Sequence, residues 1–231
     1  MSKSSELTTL KDVISYVTKR YMENLHLLAI QKDLNEVKKA YNDYLKTKDK
    51  KDLIFLFVLC LRIRHGNRMP WESTVKAVNK LIDSGIITQS FVDFEQLYGC
   101  VKEILNGIYF AQGSLTVYDT SLTIGHLKSI CPKSKVYLNA GAWDGAEAII
   151  GPKNVKPVMD IADWQKPGLF PGIDSMYIED ILCCFKIIFQ KSAGGSVVTT
   201  KDVDSRITKL SRSVNISKLR ARTDLYFHLT F

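Results

Sequence analysis

Apolar residues recur at intervals of three and four from the start of the chain: Leu7, Leu10, Ile14, Val17, Tyr21, Leu25 and Leu28. That spacing puts them on one stripe of a helix and predicts a continuous helix from Leu7 to about Ile30. A second helix starts at Asp33 and ends in the run Lys46, Lys48, Lys50 and Lys51, which suits a solvated helix C-terminus. From Asp52 to Arg64 the pattern is apolar nearly all round, so this third helix belongs in the middle of the core, with Gly66 ending it. Pro70 reads as the first residue of the next helix, Trp71 to Ser84, which Gly85 stops. Another helix covers Ser90 to Leu105, and Asn106-Gly107 ends it.

The middle third changes character. Between Ile104 and Ile130 the only charged residues are Asp119 and Lys128. Leu115, Val117, Leu122 and Ile124 place apolar groups on both sides of one helix there, so it too is expected to be buried. Small residues cluster from Asn139 to Ala148 and allow helices to approach closely, while Asp144 and Glu147 have the spacing of a helix capping box. Gly151 to Gly172 reads as a long irregular connection. Ser175 to Phe189 is a very apolar helix, and Lys191 to Ser196 a loop. Val203, Ile207, Leu210 and Val214 form the stripe of a helix from Thr200 to Val214. The tail from Asp224 to Phe231 alternates, with Leu225, Phe227, Leu229 and Phe231 on one side, and predicts a half-buried strand. Val136 to Leu138 and Val197 to Thr199 are its candidate partners. The expected fold class is mainly α: a single multi-helix globular domain over residues 1–231, with a small β element that includes the C-terminal strand. A subdivision near residue 107, into an N-terminal helical part and a C-terminal α+β part, is the alternative organisation.

Composition narrows the class. The chain has 231 residues, 45% apolar and 24% charged, which is enough to bury a sizeable core and does not fit disorder. Its polar start carries no secretory pattern, and its most apolar run, Leu53 to Leu61, is about half of what a membrane span needs. A soluble, cytoplasmic protein without membrane contact is therefore expected. The five cysteines have neither framework nor metal-ligand spacing, and Cys183 and Cys184 are adjacent, so free thiols in a reducing compartment are expected. Asn215-Ile216-Ser217 fits a glycosylation acceptor, which has no meaning without secretion. The formal net charge of +8 favours an acidic partner: DNA or RNA, or an acidic protein.

Three constellations could carry chemistry. On the helix from Thr200 to Val214, Lys201, Lys209 and Arg212 project opposite the apolar stripe, with Arg206 to one side, and Lys218, Arg220 and Arg222 follow. Such a face can neutralise phosphates, although an ordinary solvated helix face looks the same in sequence. Arg62, Arg64, His65 and Arg68 lie at and just after the end of the buried third helix and before Trp71, where arginines can hold an anion and an aromatic can stack on a base. Asp119 and His126 are seven residues apart on one side of a buried helix, a Cα separation of about 10 Å at the usual rise. They are the candidate catalytic residues. The competing reading is a core aspartate paired with arginine and a satisfied core histidine.

Val117-Tyr118-Asp119-Thr120 through His126-Leu127 resembles a short part of the aspartate helix of helix-hairpin-helix DNA glycosylases. The glycine hairpin that belongs upstream of it is missing, so the resemblance assigns no family. The chain also lacks GxxxxGK[ST], a GxGxxG after a strand, HExxH and GxSxG. Its four histidines are scattered, and neither a metal nor another cofactor is expected. The leading expectation is a helical protein that binds nucleic acid through its basic C-terminal helix face. An enzyme acting on a nucleotide or nucleobase in a pocket around Asp119 and His126 is the second. A protein–protein interaction module for an acidic partner is the third.

Overall fold

The computed structural model describes residues 4–64, 69–211 and 214–228. Its elements run β1 (Glu6–Leu7), α1 (Leu10–Glu23), α2 (Ala29–Thr47), α3 (Lys50–Arg62), α4 (Trp71–Asp83), α5 (Phe94–Leu105) and α6 (Ser114–Leu127). Then come β2 (Lys135–Tyr137), α7 (Ala140–Ile150), β3 (Val158–Asp160), α8 (Ile161–Gln165), α9 (Ser175–Ala193), β4 (Val198–Thr199), α10 (Thr200–Leu210) and α11 (Ile216–His228). The fold is mainly α, with two small two-stranded antiparallel sheets. The chain divides into two compact units, each discontinuous in sequence: residues 1–28 with 132–212, and residues 29–131 with 213–231. Residue 107 falls inside the second unit, between α5 and α6.

In the first unit, two threonine–aspartate pairs set helix starts. The Asp12 amide donates to Thr9 Oγ1 at 3.1 Å, and the Thr9 amide donates to Asp12 Oδ2 at 3.0 Å. Thr199 and Asp202 repeat this reciprocal box at the start of α10, at 3.3 and 2.8 Å. Each box satisfies backbone donors that the first helical turn leaves without a partner. β1 pairs with β4, Leu7 opposite Val198, and β2 pairs with β3, Val136 opposite Met159. Val13, Val17 and Tyr21 of α1 are buried together with Ile181, Phe185 and Phe189 of α9, against which α1 packs. α7 lies on the same helix, and close approach is possible because Gly145 faces the Leu182 carbonyl directly, where a Cβ would collide with it. The small-residue cluster thus has the packing role expected of it.

In the second unit, α3 is central and buried from Ile54 to Arg62, packed by α2, α4, α6 and α11. α5 packs on both α4 and α6. Burial pushes the Cys60 thiol up to about 12. Among the described residues, none of the five cysteines is in a disulfide. The thiolate is the reactive form, so a thiol reagent should leave Cys60 unmodified in the folded protein and label it only after unfolding. Labelling of Cys60 under native conditions would contradict the central place of α3.

Several expectations are corrected. The first helix ends at Glu23, because the Asn24 side chain donates to the Arg20 carbonyl at 2.8 Å and a 3₁₀ turn, Leu25–Leu27, follows. α2 then begins at Ala29, earlier than Asp33. Asp144 and Glu147 do not cap a helix start. Asn139 stands at the N-cap of α7, Asp144 accepts from Lys186 Nζ at 2.7 Å, and Glu147 accepts from Trp143 Nε1 at 2.7 Å. The connection from Gly151 to Gly172 contains β3 and α8. The expected C-terminal strand is helix as far as it is described: residues 224–228 complete α11. Leu219, Thr223 and Phe227, four residues apart, are all buried, and this helical period overrides the alternation. Phe227 is therefore in the core as expected, but on a helix, and Leu225 is exposed. Leu229 and Phe231 lie outside the described residues.

Candidate nucleic-acid interface

Three basic residues of the second unit, Arg62, Lys218 and Arg222, meet where α11 starts. With Leu219, Thr223 and Phe227 turned inward, Asn215, Lys218, Arg222 and Tyr226 follow one another at steps of three and four and form an adjoining edge of the helix. Asn215 Oδ1 accepts from the Lys218 amide at 2.9 Å, so it caps α11. A hollow of about 270 Å³ opens beside this turn, lined by Arg62, Trp71, Asn215, Lys218, Leu219 and Arg222.

Its floor is held rigidly. Arg62 ends α3 and is only 3% exposed. Its Nη1 donates to the Met69 carbonyl at 2.7 Å and to Thr74 Oγ1 at 2.8 Å, and the guanidinium lies 4.4 Å from the Trp71 ring centroid. The Tyr226 ring stacks on Trp71, with centroids 4.8 Å apart and an angle of 7° between planes. Burial holds the Arg62 pKa below its ordinary value, and the neighbouring positive charge of Arg222 lowers it further. Lys218 and Arg222 are exposed on the rim, and neither makes an ion pair among the described residues. Like charges have thus been brought together around a concave surface, beside the positive end of a helix dipole. A bound anion relieves that repulsion.

Trp71 cannot stack on a base, because it is 8% exposed and its ring is already engaged by Arg62 and Tyr226. That corrects the stacking expected of the aromatic beside the arginine cluster. Its ring lies against the Arg62 guanidinium instead.

The other expected residues are placed elsewhere. Arg64 Nε donates to Asp119 Oδ1 at 2.8 Å, and both side chains are 5% exposed. Asp119 is therefore a core aspartate paired with arginine. His126 is half-buried further along α6, and its pKa is lowered first by burial and then by the charge of Lys38. Arg220 lies over the Phe55 ring, 4.1 Å from its centroid, and 3.7 Å from Asp52. In the first unit, Lys201 and Lys209 are exposed on α10 opposite buried Val203 and Ile207. Arg206 Nε donates to the Cys184 carbonyl at 2.7 Å. Acidic residues interrupt this helix: Asp204 accepts from Arg20 Nε at 2.8 Å, and Asp202 lies 3.4 Å from Lys191 Nζ. Arg68 and Arg212 are outside the described residues, as is His65. The sequence named Arg62, Lys218 and Arg222 as site residues but read Asn215 only as part of a glycosylation pattern; its signal as a cap is an N-cap residue type just ahead of a helix.

Among the described residues, no group of three or more His, Cys, Asp or Glu side chains is placed to hold a metal ion, and no helix is long and apolar enough to cross a membrane. Comparison of the chain with protein-family models, curated proteins and solved structures returns no match.

Proposed function

We propose that this protein binds nucleic acid and that the hollow at the start of α11 holds a phosphate of the backbone. The observation that carries the reading is the convergence of Arg62, Lys218 and Arg222, from two helices, on one concave surface. Lysine and arginine neutralise phosphates and release condensed counterions, which supplies affinity without reading sequence. Lys201 and Lys209 on α10 are a second, more dispersed set of cations for the same chemistry. The reading of Asp119 and His126 as a catalytic pair has less support, because the carboxylate is buried against Arg64.

The test is a titration of wild type and of Lys218→Ala/Arg222→Ala with single- and double-stranded oligonucleotides at several salt concentrations. Both side chains are exposed, so the variant should keep its fold. Loss of two phosphate contacts should weaken binding similarly for unrelated sequences and flatten the log–log salt slope by about 1.4–1.8. Equal affinities and slopes would remove the hollow from the binding surface. Polyglutamate bound as tightly as the oligonucleotides would favour the acidic-protein reading instead.

A further inference from the structure

The charge around the hollow bears on which phosphate it suits. Its floor is formed by Arg62, Trp71 and Leu219, all buried, and its rim by the exposed Asn215, Lys218 and Arg222. An internal phosphodiester carries one negative charge and is flanked by a sugar on each side. A terminal phosphate has a single substituent and can enter end-on. It also carries a charge of about −1.5 to −2 at neutral pH. Three cationic side chains and a helix N-terminus exceed what one phosphodiester neutralises, and they match a monoester dianion far better.

We infer that the hollow is a pocket for the terminal phosphate of a nucleic-acid strand, so that the protein prefers phosphorylated strand ends. This rests on the nucleic-acid reading above. Lys218 and Arg222 close on the phosphate oxygens from the rim, and Arg62 fixes positive charge beneath them. Trp71, in contact with both Arg62 and Tyr226, keeps that charge in place without touching a base.

The experiment compares one oligonucleotide sequence in three forms: 5′-phosphorylated, 3′-phosphorylated and with hydroxyls at both ends, each labelled internally and titrated at the same salt concentration. One of the phosphorylated forms should bind about tenfold more tightly than the hydroxyl form, the gain of about one charge-assisted contact. Arg222→Ala should abolish most of that advantage while changing the affinity of the hydroxyl form less. Equal affinity of all three forms for wild type, with binding observed, would overturn the end preference and leave the nucleic-acid reading standing. Binding of none of them would sink the reading itself. An advantage that survives intact in Arg222→Ala would place the end-binding site elsewhere and overturn this assignment. A nucleoside monophosphate or a phosphoserine peptide that binds when the phosphorylated strands do not would show a pocket for a different phosphate monoester, and would also overturn it.

Discussion

Asp119→Ala should destabilise the second unit by about 3–5 kcal/mol, enough to lower its melting temperature by on the order of 10 °C. The carboxylate and the Arg64 guanidinium meet at 2.8 Å with both side chains nearly inaccessible to water. Removing the acid takes a carboxylate away from a guanidinium that is 5% exposed, where water cannot restore the lost hydration. The pair itself is not the cheapest solution, since replacing both members with apolar residues often costs little. Arg64→Met/Asp119→Leu should therefore recover much of the stability lost by Asp119→Ala. Thermal or denaturant unfolding of the three proteins checks this. If Asp119→Ala melts like wild type, the ion pair is not the structural element described here, and a functional role for Asp119 regains its place.

Gly145→Ala should destabilise the first unit, although the same change in an open helix does the opposite. Alanine is about 1 kcal/mol better than glycine in a helix interior. At Gly145 in α7, however, the added Cβ would run into the Leu182 carbonyl of α9, and backbone cannot swing aside as a flexible side chain can. α7 and α9 would have to separate along an interface that is otherwise closely packed, at a cost typical of overpacking, about 1–3 kcal/mol or more. Gly145→Val, with more bulk and a poorer helix propensity, should fall further. Gly99 in α5 is the internal control. A Cβ there meets nothing within 4 Å, so Gly99→Ala should stabilise by about 1 kcal/mol. Opposite signs at the two positions are the expected result of denaturant titrations. A stabilising Gly145→Ala would show that the two helices are not as close as described.

What the sequence made legible was local or strongly periodic. α3, apolar all round, stands at the centre of its unit, and the stripes of α1 and α10 face inward. The pairing of Asp119 with arginine was one of two readings open to a charged residue in an apolar helix, and burial requirements chose it. The tail shows the limit of short windows. Leu225, Phe227, Leu229 and Phe231 alternate over only eight residues, while Leu219, Thr223 and Phe227 continue a four-residue period begun upstream. The longer pattern governs, because each helical turn added to an existing helix needs no new nucleation. The stack that supports Arg62 beneath the hollow was illegible for a different reason. Arg62, Trp71 and Tyr226 come from three elements, and nothing in residues 62–71 announces that a tyrosine about 155 positions later will stack on Trp71. The two basic clusters that looked separate along the chain, around Arg62 and around Arg222, share one wall because α11 returns to α3 and α4.

The most direct measurement of the central claim is amide and arginine side-chain chemical-shift mapping of the isotope-labelled 231-residue chain during titration with a phosphorylated oligonucleotide. The largest changes should fall on the first turn of α11, from Asn215 to Leu219, and on the Nε–H groups of Arg222 and Arg62, with the Trp71 indole responding through its contact with Arg62. Changes concentrated on α10 around Lys201 and Lys209, on α6 around His126, or absent at saturating oligonucleotide would contradict the assignment of this hollow as the phosphate site.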